Sequence, residues 1–399
     1  MIQAPVSVTC HSFKCGALPT VVNISRFQGV DGVEEYHLTI QPTEYGSAVT
    51  QLKWISGAYQ DALDYLGLNN ETCIFRRFFC SDLANQASIL DAQPFSNPNH
   101  PNQSCAVSRI CQPPALPAKA SLWAYHVNDP RAPLSKIKDG PSLLLQRGDL
   151  THYWTAGITH SSEHASYVQT RRILREYESI LESAEMRMAD HVVRTWFFVR
   201  DVDANYQGLV DARREIFAER GMTPDTHYIA STGIEGASAD PAVKVTMDAY
   251  AISGIRGDQI RYISAPANLS PTHIYGVTFE RGVSVSYADR KHILISGTAS
   301  IDSAGEILYH GNVLQQMDQA LENVRALLEQ AEATLRDVCV FTVYVRDPSD
   351  LAAVQKVMKD RFGHVPYLVV LAPVCRPGWL VEMECQAIIP DNNPALPGF

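Results

Sequence analysis

The stretch Val283-Ser-Val-Ser-Tyr287, His292-Ile-Leu-Ile-Ser-Gly-Thr-Ala-Ser-Ile301 and onward to Pro390 decides the fold. A turn at Asp302-Ser-Ala-Gly-Glu306 follows, with Gly305 where a positive φ is needed. Gln315–Gln330 then carries Met317, Leu321, Val324, Leu327 and Leu328 at spacings of three and four, the stripe of one buried helix face. Val338-Cys-Val-Phe-Thr-Val-Tyr-Val345 is β-branched and aromatic, as a buried strand requires. A shorter helix is predicted over Asp350–Arg361, and two strands over Tyr367–Leu371 and Trp379–Ile389. This order predicts an α+β unit, a sheet with its helices on one face.

Two earlier stretches echo it. Phe341-Thr-Val-Tyr-Val-Arg-Asp347 is matched by Trp196-Phe-Phe-Val-Arg-Asp201 and by Arg77-Phe-Phe-Cys-Ser-Asp82. Each echo follows an amphipathic run. One spans Tyr167 to about Met186, with Ile173, Leu174, Tyr177, Ile180 and Leu181 on one face. The other spans about Val49 to Leu66, with Leu52, Ile55, Tyr59, Leu63 and Leu66 on one face. The last strand, Leu380–Ile388, aligns with Lys244–Ile252 and with Lys119–Val127. Three diverged copies of one unit are therefore expected, at about 30–127, 145–253 and 281–390. Asn128–Pro133 and residues 254–280 read as irregular linkers, and Pro94–Asn102 as a loop within the first copy.

Composition sets the outer bounds. At 399 residues two or three domains are expected. A net charge of −10 argues against a general nucleic-acid binder but leaves room for a local basic pocket. No apolar run reaches a membrane span, and Met1-Ile-Gln-Ala-Pro5 lacks the pattern of a signal peptide. Nine cysteines make no even framework, which fits a reduced cytoplasm. Cys10 and Cys15 have no second Cys/His pair to complete a zinc set, and no other spacing suggests a metal or a cofactor.

The 281–390 segment resembles the Rid (YjgF-like) family through Ile295-Ser-Gly297, the Gly305 turn, the Gln315–Leu328 helix, Thr342–Asp347 and Val381-Glu-Met-Glu384. The resemblance implies the Rid, or chorismate-mutase-like, fold. Rid proteins act as homotrimers with sheets inward, helices outward and a small-molecule site in each cleft between subunits. Three fused copies would build such a pseudo-trimer from one chain and close it, so a monomer is expected. In Rid deaminases an arginine opening the last strand clamps the substrate carboxylate. The matching positions here are Leu380, Lys244 and Lys119, which argues against ordinary imine hydrolysis.

Residues 190–390 also resemble the chorismatases, Rid-like proteins that release pyruvate from chorismate. Val193-Arg-Thr-Trp-Phe197, Asn205-Tyr206, Asp211–Phe217, Thr232-Gly-Ile-Glu-Gly236, Ile260–Ala265, Tyr275–Arg281, Ser296–Ser300 and Val374-Cys-Arg-Pro377 carry this resemblance. It implies a small anionic carboxylate metabolite bound in a cleft between copies two and three. Arg194, Lys244, Tyr275, Arg281, Gly297 and Cys375 are the candidates for binding, with Arg376 beside them. Glu382 and Glu384 are the candidates for proton transfer. They share one face of a strand, about 7 Å apart, and paired carboxylates can drive one pKa up and create a general acid. Gln386 stands where chorismatases carry a further carboxylate. A Rid-type imine or enamine deaminase and a non-catalytic ligand-binding or scaffold protein are the alternatives.

Overall fold

The structure, a computed structural model, describes residues 6–399, with the side chains of Val6 and Tyr275 outside the described set. The Met1–Pro5 segment read for a leader also lies outside it. The chain folds into three six-stranded sheets of identical topology. The first runs edge to edge as Val6–Phe13, Thr20–Gln28, Glu34–Pro42, Ala120–Asn128, Cys73–Cys80, Ala106–Cys111. The second runs Ser135–Asp139, Ser142–Arg147, Leu150–Thr159, Val245–Ser253, Val192–Val199, Ala230–Glu235. The third runs Ile260–Ile263, Gly282–Ser286, Arg290–Ala299, Val381–Pro390, Val338–Val345, Tyr367–Leu371.

Register makes the copies comparable residue by residue. Arg77 pairs with Trp123, Trp196 with Asp248, and Thr342 with Glu384. Each unit carries a long helix, Ala48–Leu66, Ser166–Glu182 or Val313–Gln330, and a second helix, Leu83–Asp91, Val202–Glu219 or Leu351–Phe362. The stripe residues Met317, Val324, Leu327 and Leu328 are fully buried. Two sequence expectations change. The run read to Met186 ends as a helix at Glu182, and Met188–His191 makes a separate short turn of helix. Part of 254–280 is not a linker, since Ile260–Ile263 pairs antiparallel with Gly282–Ser286 and forms an edge of the third sheet. Among the described residues no helix is long and apolar enough to cross a membrane.

The units meet through their sheets, and one core cluster draws residues from all three. Parallel edge strands do not end in solvent. Cys111 bridges to Ala237, Ile234 to Val374, and Val370 to Pro114. Each bridge joins a unit's edge to the segment before the next unit's last long strand. The third returns to the first unit, so the ring is closed and these parallel edges are covered.

Three buried ion pairs cross these interfaces, and the one that joins the third unit to the first is Arg290 with Glu35 at 2.8 Å. Arg77 of the first unit meets Asp248 of the second at 2.8 Å, with both side chains fully buried. Its guanidinium carbon lies 4.9–5.3 Å from the ring centres of Phe75, Trp123, Trp196 and Phe198. Arg194 of the second unit meets Glu384 of the third at 2.7 Å. Replacing Arg77 with Ala strands the Asp248 carboxylate in this core. Urea denaturation is expected to show a loss of about 3–5 kcal/mol, much of it recovered in Arg77→Leu/Asp248→Leu. Because the ring closes within one chain, light scattering is expected to give the single-chain mass of 44.2 kDa.

Candidate active site

The cleft between the second and third units contains a cavity of about 480 Å³, counted to its open mouth. The second unit supplies Tyr206 and Arg213 from the helix Val202–Glu219, and Ser231, Thr232 and Gly233 from its edge strand. The third supplies Gly297, Cys375, Arg376, Trp379 and Glu382. Val277, Phe279 and Arg281, from the segment between the units, complete the wall.

Glu382 is the acidic residue of the lining. Strand alternation sends it and Glu384 to the same face, but their surroundings differ. Glu384 takes charge-assisted bonds from Arg194 at 2.7 Å, Trp196 Nε1 at 3.0 Å and Thr232 Oγ1 at 2.5 Å. It is held as a paired carboxylate behind the cavity wall. Glu382 lines the cavity itself and is only 5% exposed. Burial, and then the neighbouring charge of Glu384, push its pKa up to about 8, against the pull of Arg281 and Arg194. Its carboxyl is therefore largely protonated at neutral pH, as a general acid must be.

Gly297 makes this placement possible. A Cβ there would run into the Glu382 carboxyl and press on the Thr232 methyl. The Gly297 N–H donates to Thr232 Oγ1 at 2.9 Å, and Arg194 donates to the same oxygen at 2.6 Å. Thr232 thus ties the second unit's edge strand to the acid-bearing strand of the third.

Three arginines face the cavity. Arg281 donates to the Ser270 carbonyl at 3.0 Å and lies over Phe279. Arg213 donates to Thr278 Oγ1 at 3.2 Å and Ser231 Oγ at 3.4 Å. Arg376 lies over the Trp379 ring. Held by packing and hydrogen bonds, such guanidinia are preorganised for carboxylates. Burial and the nearby Glu382 raise the Cys375 thiol to about 12, which keeps it protonated rather than a reactive thiolate. Burial likewise holds the Tyr206 phenol well above its ordinary value, so it remains an O–H donor.

Of the residues singled out from sequence, Glu382, Arg281, Gly297, Cys375 and Arg376 come together here. Glu384 and Arg194 stand behind the wall, occupied with each other. Lys244 is not among the residues lining the cavity, and its backbone N–H is taken by Gln169. The side chain of Tyr275 lies outside the described residues. Sequence reasoning missed Arg213, Tyr206, Thr232 and Trp379 as site residues. Arg213 carried a signal, because it falls on the buried stripe of its helix with Leu209, Ile216 and Phe217. A cation on an apolar stripe needs an anion or a cavity to face. Among the described residues no group of three or more His, Cys, Asp or Glu could hold a metal ion.

Comparison with known proteins gives the following. Residues 282–389 match the family described as endoribonuclease L-PSP. A RutC family protein of Pyrococcus abyssi is 37% identical over 98 residues, 24% of this chain and 76% of its own length. The 2-iminobutanoate/2-iminopropanoate deaminase of Mus musculus is 28% identical over 139 residues, 34% of this chain and 95% of its own. A crystal structure of a chorismatase superposes with a TM-score of 0.61 over 80% of this chain and 94% of its own, at 20% identity. At that identity the likeness speaks for the shared fold alone.

The protonation of Glu382 can be measured without a substrate. Difference infrared spectroscopy is expected to show a protonated-carboxyl band that titrates away with a midpoint near pH 8 and is missing in Glu382→Gln. The sign follows from the raised value. The stability this carboxyl contributes is fully present below its ordinary value of 4.5 and is lost as pH rises to about 8. A midpoint below 5 would contradict the site's electrostatics.

Proposed function

The chain belongs to the Rid (YjgF-like) superfamily, and from that premise we propose that it hydrolyses a chorismate-type enol ether, releasing pyruvate, in the cleft between its second and third units. The observation that carries this reading is the buried acid Glu382 facing a cavity lined by Arg213, Arg281 and Arg376. An enol ether is inert to hydroxide but reacts once its terminal carbon is protonated. A carboxylic acid kept neutral at neutral pH, inside a cavity that binds anions, suits that step.

In the proposed mechanism the arginines hold the substrate's carboxylates, and Glu382 delivers its proton to the methylene carbon of the enolpyruvyl group. The C–C double bond becomes a methyl group, and positive charge develops on the ether carbon. Water adds there and returns a proton to the Glu382 carboxylate. The hemiketal then breaks its bond to the ring oxygen, giving pyruvate and a ring alcohol. One water is consumed and Glu382 ends as it began. Glu384 acts as a positioning residue, since its fixed negative charge helps to hold the Glu382 proton in place. Gly297 gives the acid its room, while Cys375 and Tyr206 shape the wall.

Imine hydrolysis of the deaminase type lacks its clamp here, because Leu380 stands at the opening of the acid-bearing strand. The test is pyruvate release from chorismate. Glu382→Gln is expected to lower kcat by about 10²–10⁴ with a smaller change in KM. Activity of the native enzyme is expected to fall as pH rises through about 8, as the acid form is lost. Hydrolysis of an amino-acid-derived imine without pyruvate release would favour the deaminase, and silence in both assays the non-catalytic reading.

A further inference from the structure

The cleft between the first and second units is the pseudo-symmetric counterpart of the candidate active site, yet it is built differently. Register aligns Thr246 with Glu382, since Thr246 pairs with Thr159 as Glu382 pairs with Ala299. It aligns Gly157 with Gly297. At Gly297 a Cβ would strike the acid, whereas at Gly157 it would meet no heavy atom within 4 Å. Where the carboxyl is missing, the space has stayed open. The cavity there measures about 1180 Å³, counted to its mouth. At the third cleft, beside the Val370–Pro114 bridge, the Gln41 side chain crosses to the Tyr367 carbonyl at 2.9 Å.

We propose that this open cleft is a second ligand site, one that binds a small organic monoanion, a carboxylate on an apolar body, without turning it over. Two cations reach it. Arg109 comes from the first unit's edge strand, and Lys138 from the hairpin that extends the second sheet. Asp91 accepts one arm of Arg109 at 2.6 Å, and His160 Nε2 lies 2.7 Å from Glu176 on the wall. The ammonium of Lys138 donates to the Gly140 carbonyl, and Asp139 acts on it through space. Burial pushes the Lys138 pKa down, and an anion bound beside it would favour its charged form. Val107, Ala156 and Ile158 offer an apolar wall to the ligand's body, and Thr246 and Ser238 offer hydroxyls. With threonine in place of Glu382, the cleft has no acid at the position that would deliver a proton.

The probe is 4-fluorobenzoate, followed by fluorine NMR on the full chain. The wild type is expected to bind it, and Lys138→Gln is expected to weaken binding by about tenfold or more, the typical effect of one charge-assisted bond. Ser238→Trp, which fills the mouth from a half-exposed position, is expected to weaken it similarly, with circular dichroism confirming the fold. Glu382→Gln is expected to leave this binding unchanged, which separates it from the candidate active site. The proposal is overturned if the wild type does not bind the probe, if both cleft variants bind it as the wild type does, or if neutral 4-fluorobenzamide binds equally well. The measurement requires no turnover, so it stands or falls apart from pyruvate release.

Discussion

Three buried ion pairs between units govern the rest of the molecule. Each pairs an arginine from one unit with a carboxylate from the next, in surroundings where an unpartnered charge would be very costly. Arg77 with Asp248 fixes how the first sheet meets the second, and Arg194 with Glu384 fixes the second against the third. A slip of one residue along either interface would leave a buried charge alone, so the pairs select one register. At the third interface Thr342 and Trp123 occupy the positions that correspond to Arg77 and Asp248, and the pair is made elsewhere, by Arg290 of the third unit with Glu35 of the first at 2.8 Å. Backbone contacts such as Leu371 N–H to the Pro113 carbonyl at 2.7 Å add to it.

The same chemistry separates the roles of two neighbouring glutamates. Glu384 accepts bonds from three donors, and burial beside Glu384 pushes the pKa of Glu382 up. The acid therefore depends on the ion pair behind it. Structure and the proposed chemistry share one salt bridge, and its structural partner Arg194 belongs to a different unit from the acid it influences. A cleft between units is thus more than a convenient crevice, since neither unit alone contains the electrostatics of the site.

Much of this was legible in the sequence. Helical stripes, strands of β-branched residues and the triple echo ending at Asp82, Asp201 and Asp347 report local periodicity, and local periodicity survives divergence. The acid strand was legible too, because two glutamates at strand spacing must share a face. What could not be read was which residues meet across units. Arg194 reads as a substrate clamp until Glu384 is found beside it, and Lys244 reads as a ligand until its strand is placed. Conversely Arg213 looks like one more helix arginine until the helix is docked. The strand Ile260–Ile263 was hidden in a stretch rich in Gly and Pro, where short edge strands have weak signatures.

The bridge between Val370 and Pro114 has a consequence for how the protein is made. The ribosome delivers residue 114 long before residue 370, so the first unit emerges with its side of that contact unmet. Its apolar, strand-bearing face must wait for nearly the whole chain to follow. Contacts so distant in sequence form slowly, and an uncovered sheet surface is exposed to other chains in the interval. A homotrimer of separate subunits closes its ring only as fast as concentration allows. Here closure is unimolecular, and it waits until the third unit has followed the first.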